Sequence, residues 1–266
     1  MSALRLRDKV IVVTGSTTGI GKAIAKRCLE EGASVIIHGI EFDLAEKVST
    51  DLDPEGGRTE SIAADLADPD APRLIREITL GRFGKIDGLV NNAACVGSGD
   101  VVSTSREEFD RFLEVNTKAP LFLIQALLDD LRVTKGSVVN IGSVNAYCGE
   151  PDLLPYSISK GALMTLTRNL GDVLHRQYSV RVNQVNPGWI LTENEQTRKR
   201  EQGLPEDWPS RLSDQFAPSG RIFDPAEIAA VVIYLLADES GPVSGSVFDI
   251  EQHPMIGRNP PKGVES

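Results

Sequence analysis

The stretch "VIVVTGSTTGIGKAIAKRCLEEGA", residues 10–33, decides the fold. Four consecutive apolar β-branched residues, Val10 to Val13, read as a strand buried on both faces. A turn carrying Gly15, Gly19 and Gly21 follows, and a helix pattern closes the unit. Glycine permits the tight turn and a close backbone approach. The helix N-terminus then offers N–H groups and a positive dipole end to a pyrophosphate. The spacing is G-x-x-x-G-x-G and departs from the G-x-G-x-x-G dinucleotide fingerprint. Taken alone, the turn is equally a plain strand-to-helix connection with glycine used for packing.

The same rhythm repeats along the chain. Lys9–Thr14, Ser34–His38, Ser61–Ala64, Ile86–Asn91, Gly136–Ile141, Val180–Val185 and Ser246–Ile250 read as buried strands. Helix patterns lie between them at 20–31, 42–52, 70–83, 105–131, 156–178 and 225–237. Asp224-Pro225 makes an N-cap and first-turn pair for the last. Strand–helix alternation with continuous apolar strands predicts an α/β doubly wound parallel sheet of about seven strands, with helices on both faces. Residues 192–223 break the rhythm: they are polar and carry Pro205, Pro209 and Pro218. A long insertion of that kind at the carboxyl ends of the strands predicts a lid.

Composition narrows the function classes. A formal charge of −10 over 266 residues disfavours nucleic acid and anionic membrane surfaces, both of which need a basic face. The N-terminus shows no signal-peptide h-region, and no apolar run has the length of a membrane span. Three cysteines (Cys28, Cys95, Cys148) without CxxC spacing point to a reduced, cytoplasmic compartment. His38, His175 and His253 are too scattered to suggest a metal site.

A second stretch carries the chemistry. "LLPYSISKGALMTL", residues 153–166, sets Tyr156 and Lys160 one helical turn apart. Neighbours at i,i+4 share a helix face, so packing of a Tyr on a Lys stem accounts for the pair by itself. Other segments, taken in order, resemble the short-chain dehydrogenase/reductase family. They are the turn TGSTTGIG (14–21), NNAA (91–94), Asn116 in EVNTKAP, Ser143 in IGSVNAY, Tyr156 and Lys160 in YSISK, NPGWILT (186–192) and PSGRIFDPAEIA (218–229). Ala94 stands where that family usually has Gly. The resemblance runs from about Leu6 to about Ile250 and leaves the tail, 251–266, outside.

The resemblance implies one Rossmann-like domain over 1–266 and an NAD(P)-dependent oxidoreductase acting on a secondary alcohol or ketone. Tyr156 is then the general acid/base, Lys160 the cation that stabilises its phenolate and holds the nicotinamide ribose, and Ser143 a partner to the reacting oxygen. Asn116 is implied to hold a water that relays protons to Lys160. The implied cofactor contacts are Gly15, Thr18, Gly19, Ile20, Gly21, Asp65, Leu66, Asn92, Ala93, Ala94, Pro187, Gly188, Ile190 and Thr192, together with Tyr156 and Lys160.

Cofactor choice stays open between NAD and NADP. The position where NAD-specific relatives place an acid is Gly39, and the positions where NADP-preferring ones place a basic residue are Ile40 and Thr18. Glu41 either accepts from a ribose 2′-OH, which favours NAD, or is a first-turn helix acid. Asn145, Glu150, Glu193 and Trp208 are the expected substrate contacts, for a small sugar, sugar acid or polyol. The alternatives are reduction of a 3-oxoacyl thioester on an acyl carrier, and a non-catalytic nucleotide-binding module. No metal is expected. Self-association as a homotetramer or homodimer is, through the helices at 105–131 and 156–178.

Overall fold

The computed structural model describes residues 4–147, 149–215 and 217–252. Cys148, His253 and the tail beyond residue 252 lie outside the described residues. Seven strands form one parallel sheet: β1 (Val10–Val13), β2 (Ser34–Gly39), β3 (Thr59–Ala63), β4 (Gly88–Asn91), β5 (Ser137–Ile141), β6 (Arg181–Pro187) and β7 (Val247–Ile250). Their order is β3-β2-β1-β4-β5-β6-β7, so the winding reverses between β1 and β4. Eight α-helices accompany them among the described residues: α1 (Gly19–Glu30), α2 (Phe42–Leu52), α3 (Ala71–Phe83), α4 (Arg106–Leu113), α5 (Ala119–Thr134), α6 (Leu154–Tyr178), α7 (Glu193–Glu201) and α8 (Pro225–Leu236).

The period-2 geometry of a strand sorts each apolar run onto two faces. Ile11, Val13, Val35 and Ile37 enter one core with α1 and α8 residues such as Ile24, Cys28, Val232 and Ile233. Val12, Ile36, Leu89 and Val138 enter the other, against Ile75 of α3 and Leu123 and Leu127 of α5. Every residue of β1, β4 and β5 is buried, and this accounts for the lack of polar alternation in these central strands. Asp224 caps α8 as expected, its carboxylate accepting the Ala226 N–H at 2.8 Å while Glu227 accepts the Asp224 N–H.

Two expectations are corrected. The pattern at 105–131 is not one helix, because α4 and α5 are joined by a π-turn over Glu114–Lys118. Pro120 is the cause visible in the chain: it cannot donate the N–H that a continuous α-helix would aim at the Asn116 carbonyl. The lid is not only a polar flap. It contains α7 and a small core in which Trp189, Trp208, Ala217 and Ile222 are buried together.

Candidate active site

The glycine turn and the carboxyl ends of β1, β2, β3 and β4 enclose a groove of about 670 Å³. Gly15, Thr18, Gly19, Ile20, Gly21, Glu41, Asp65, Leu66, Asn92, Ala93, Ala94 and Thr192 all line it. Gly15 has φ +60 and lies against Ala93, whose Cα would be 2.8 Å from an added Cβ. A Cβ at Gly21 would run into the Gly15 carbonyl and the Asn92 amide. The Asn92 amide in turn donates to the Thr14 carbonyl at 2.8 Å, which holds the turn onto β4. Thr18, the N-cap of α1, makes no side-chain cap bond. The first N–H groups of α1 therefore have no side-chain acceptor and face the groove, which suits the phosphates of a dinucleotide. Asp65 is ion-paired with Arg111 at 3.0 Å, and the Ala67 N–H, aided by that pair, holds its carboxyl below the usual range.

An adjoining cleft of about 230 Å³ holds Ser143, Asn145, Glu150, Tyr156 and Lys160, with Pro187, Gly188 and Ile190 on its rim. A ladder of buried amides and a hydroxyl runs beneath it across the sheet. The Asn91 amide donates to Asn140 (2.8 Å), the Asn140 amide to Thr167 (2.9 Å), and the Thr167 hydroxyl to Gln184 (2.8 Å). The Gln184 amide donates to Asn186 Oδ1 (2.7 Å), which also accepts the Ser143 N–H (3.1 Å). The backbone of Ser143 is therefore held by packed polar groups that reach back to β4.

Tyr156 is half-buried on the first turn of α6, with Lys160 buried one turn on. Burial pushes the phenol pKa up. A hydrogen bond with the Ser143 hydroxyl and the Arg198 guanidinium pull it back, and Glu150 pushes it up again. The Lys160 ammonium lies beside that ring. Its Nζ donates to the Ile141 carbonyl at 2.8 Å and sits 5.7 Å from the Tyr156 ring centroid. Burial lowers the ammonium pKa to about 8.

Asn116 lies behind the cleft, not on its wall. Its amide oxygen accepts the Cys95 N–H (2.8 Å), and its nitrogen donates to the Cys95 carbonyl (2.9 Å) and to Ser159 Oγ (2.9 Å). Ser159 in turn donates to the Tyr156 carbonyl at 2.7 Å. These three hydrogen bonds pin the loop after β4 to the helix that carries Tyr156.

The expected substrate contacts divide. Asn145 and Glu150 do line the cleft, and the Asn145 amide donates to Glu150 at 3.4 Å. Glu193 is exposed and outside it. Two residues on a helix are about 200° of rotation, so Glu195 turns inward instead, and Arg198 at i+3 shares that face. Glu195 accepts from Trp189 Nε1 (2.7 Å) and from Arg198 (2.6 Å). Trp208 is also misplaced by the sequence reading: its ring stacks on Trp189 with centroids 5.3 Å apart and is 2% exposed, so it has no open face for a sugar. Glu195 and Arg198 in the cleft and Asn194 in the groove belong to the polar lid read from the sequence, whereas Trp189, His38 and Arg111 are residues that sequence reasoning missed.

Among the described residues no helix is long and apolar enough to cross a membrane. A family model described as Enoyl-(Acyl carrier protein) reductase matches residues 15–252. The chain is 36% identical to 2-(S)-hydroxypropyl-CoM dehydrogenase 3 of Xanthobacter autotrophicus, over 93% of this chain and 96% of that one. It is 34% identical to an NADP-dependent (R)-specific alcohol dehydrogenase of Lentilactobacillus kefiri, with 93% and 96% covered. The solved structure of L-sorbose reductase from Gluconobacter frateurii, complexed with NADPH and L-sorbose, superposes with TM-score 0.87 at 27% identity, covering 94% of this chain and 97% of that one. The ordered turn, the Ser143–Tyr156–Lys160 cleft and these likenesses agree: the chain belongs to the short-chain dehydrogenase/reductase family and is an NAD(P)-dependent oxidoreductase.

Proposed function

We propose that the protein interconverts a secondary alcohol and a ketone on a small, polar, polyhydroxylated substrate, a sugar, sugar acid or polyol. The observation that carries this reading is the cleft itself. Its walls present Asn145, Glu150, Glu195 and Arg198 within about 230 Å³. An apolar acyl chain closed against such groups would strip water from them and return no hydrogen bond, whereas hydroxyls return one. The bound nicotinamide supplies or accepts the hydride. Tyr156 takes the proton of the substrate hydroxyl in oxidation and returns it in reduction. Ser143 hydrogen-bonds the same oxygen and is held in place through Asn186. Lys160 provides the buried positive charge next to these two groups, and Asn116 positions the helix that carries Tyr156.

NAD is the cofactor this reading favours over NADP. Arg111 is the one Lys or Arg lining the groove among the described residues, and it is engaged by Asp65, while Glu41 adds a negative charge. The protein is also proposed to self-associate, because Leu121 and Phe122 on α5 and Ile158 on α6 are exposed. Light scattering at micromolar concentration tests this, and a monomeric mass would end it. The activity is tested by kcat/KM for polyols and aldoses against an acetoacetyl thioester, each with NAD and NADP. A tenfold preference for the thioester would make acyl-carrier reduction the better reading.

A further inference from the structure

Asp249 is an exposed carboxylate on β7, outside both the groove and the cleft. Parallel pairing of β6 with β7 sets it opposite Asn186, and Asn186 Nδ2 donates to its Oδ1 at 2.9 Å. That bond is the last rung of the polar ladder beneath the cleft. Register lines the rungs up. Asn91 pairs with Asn140 and Asn140 with Gln184 across β4, β5 and β6, and Gln184 and Asn186, two apart on β6, share a face.

Every rung points the same way. From Asn91 through Asn140, Thr167 and Gln184 to Asn186, each group donates to the next. An amide turned end for end keeps its shape, and the Thr167 hydroxyl rotates, so the rungs alone do not choose a direction. Nor does the Asn91 end, whose Oδ1 is buried without a hydrogen-bond partner. The Tyr147 phenol lies against both Asn186 and Asp249, but a hydroxyl donates and accepts and suits either orientation. A carboxylate only accepts. Asp249 therefore draws Asn186 Nδ2 toward β7. This leaves Asn186 Oδ1 facing the Ser143 N–H, 3.1 Å away, and the Gln184 amide, 2.7 Å away. Turned the other way, Asn186 would set an N–H against the Ser143 N–H and its oxygen against the Asp249 charge.

We propose that Asp249 is a positioning residue for the reaction: as the acceptor-only end of the ladder it fixes the Asn186 amide and, through it, the place of Ser143 beside Tyr156. This rests on the reading of Ser143 as the hydrogen-bond partner of the reacting oxygen. Asp249→Leu keeps the shape and removes the acceptor, and Asn186 is 0% exposed, so water has little access to replace it. Asp249→Asn keeps an acceptor oxygen. On the fastest substrate of the polyol and aldose panel, the leucine variant should lower kcat about three- to tenfold and the asparagine variant less than about twofold. The NADH dissociation constant should be unchanged in both. Made in a Ser143→Ala protein, Asp249→Leu should lower kcat no further, because the hydroxyl it positions is gone. In cofactor-free protein labelled with ¹⁵N-serine, the Ser143 amide resonance should move in the leucine variant and hold in the asparagine one. If the leucine variant does not fold, Asp249→Val, a better strand former, takes its place. An equal kcat loss with and without the Ser143 hydroxyl, or an unmoved Ser143 amide, would overturn the assignment. A Ser143→Ala protein with wild-type turnover would instead overturn the reading of Ser143 beneath it.

Discussion

Replacing Lys160 by Met should abolish turnover yet leave the cofactor-free protein at least as stable near neutral pH. Lys160 is 2% exposed, and burial takes its pKa from 10.5 to about 8. At about 1.4 kcal/mol per pH unit, keeping the ammonium charged in the fold costs roughly 3 kcal/mol below pH 8. Methionine fills a similar unbranched channel without that charge. Against this, the Ile141 carbonyl loses the donor it has at 2.8 Å, at about 1–3 kcal/mol. The net at pH 7 lies between roughly zero and 2 kcal/mol in favour of the variant. The sign then depends on pH in a specific way. Between pH 8 and 10.5 the unfolded wild type holds a proton that the folded wild type has released, so wild-type stability gains with rising pH while the variant lacks that gain. Urea unfolding at pH 7 and pH 10, followed by circular dichroism, should show the difference between the two proteins shifting by roughly 2–3 kcal/mol toward the wild type. Parallel pH–stability curves would refute the buried-charge argument.

Tyr156→Phe should lower kcat by about 10²–10⁴ and leave NADH affinity unchanged, because a proton-transfer group and not a binding group is lost. Turnover within a few-fold of wild type would remove Tyr156 from its role. Gly21→Ala drives a methyl into the Gly15 carbonyl and the Asn92 amide and should cost about 1–3 kcal/mol in thermal stability, with weaker NADH quenching. An unchanged melting point and unchanged quenching would contradict that packing. Arg198→Met removes a positive charge that holds the Tyr156 pKa down, so the acidic limb of the kcat profile for alcohol oxidation should move to higher pH. A limb that stays put, or moves down, would show that the lid charge does not reach the phenol.

The parts of this protein that its sequence determined are those encoded by neighbours along the chain. The β1–turn–α1 unit, the β-branched strands and the Tyr156/Lys160 spacing depend on contacts a few residues apart, and period and turn chemistry report them directly. The groove residues of the turn and of NNAA follow for the same reason. What tertiary structure decided involves residues brought together from distant segments. His38 meets Gly15 across a 23-residue separation, and Asn116 meets Ser159 across 43. Neither pairing leaves a periodic trace, although Pro120, four residues after Asn116, was a readable sign that the helix there is interrupted. The lid shows the limit most clearly. Its polar composition suggested that Trp208 was free to touch a ligand, yet burial of two indoles together outweighs exposure of either, so Trp208 went to Trp189. Which lid acid faces the cleft was settled by the phase of α7, because Thr192 caps the helix by accepting the Glu195 N–H at 3.1 Å. That cap starts the helix at Glu193, and the 3.6-residue turn then carries Glu195 and Arg198 inward and leaves Glu193 in solvent.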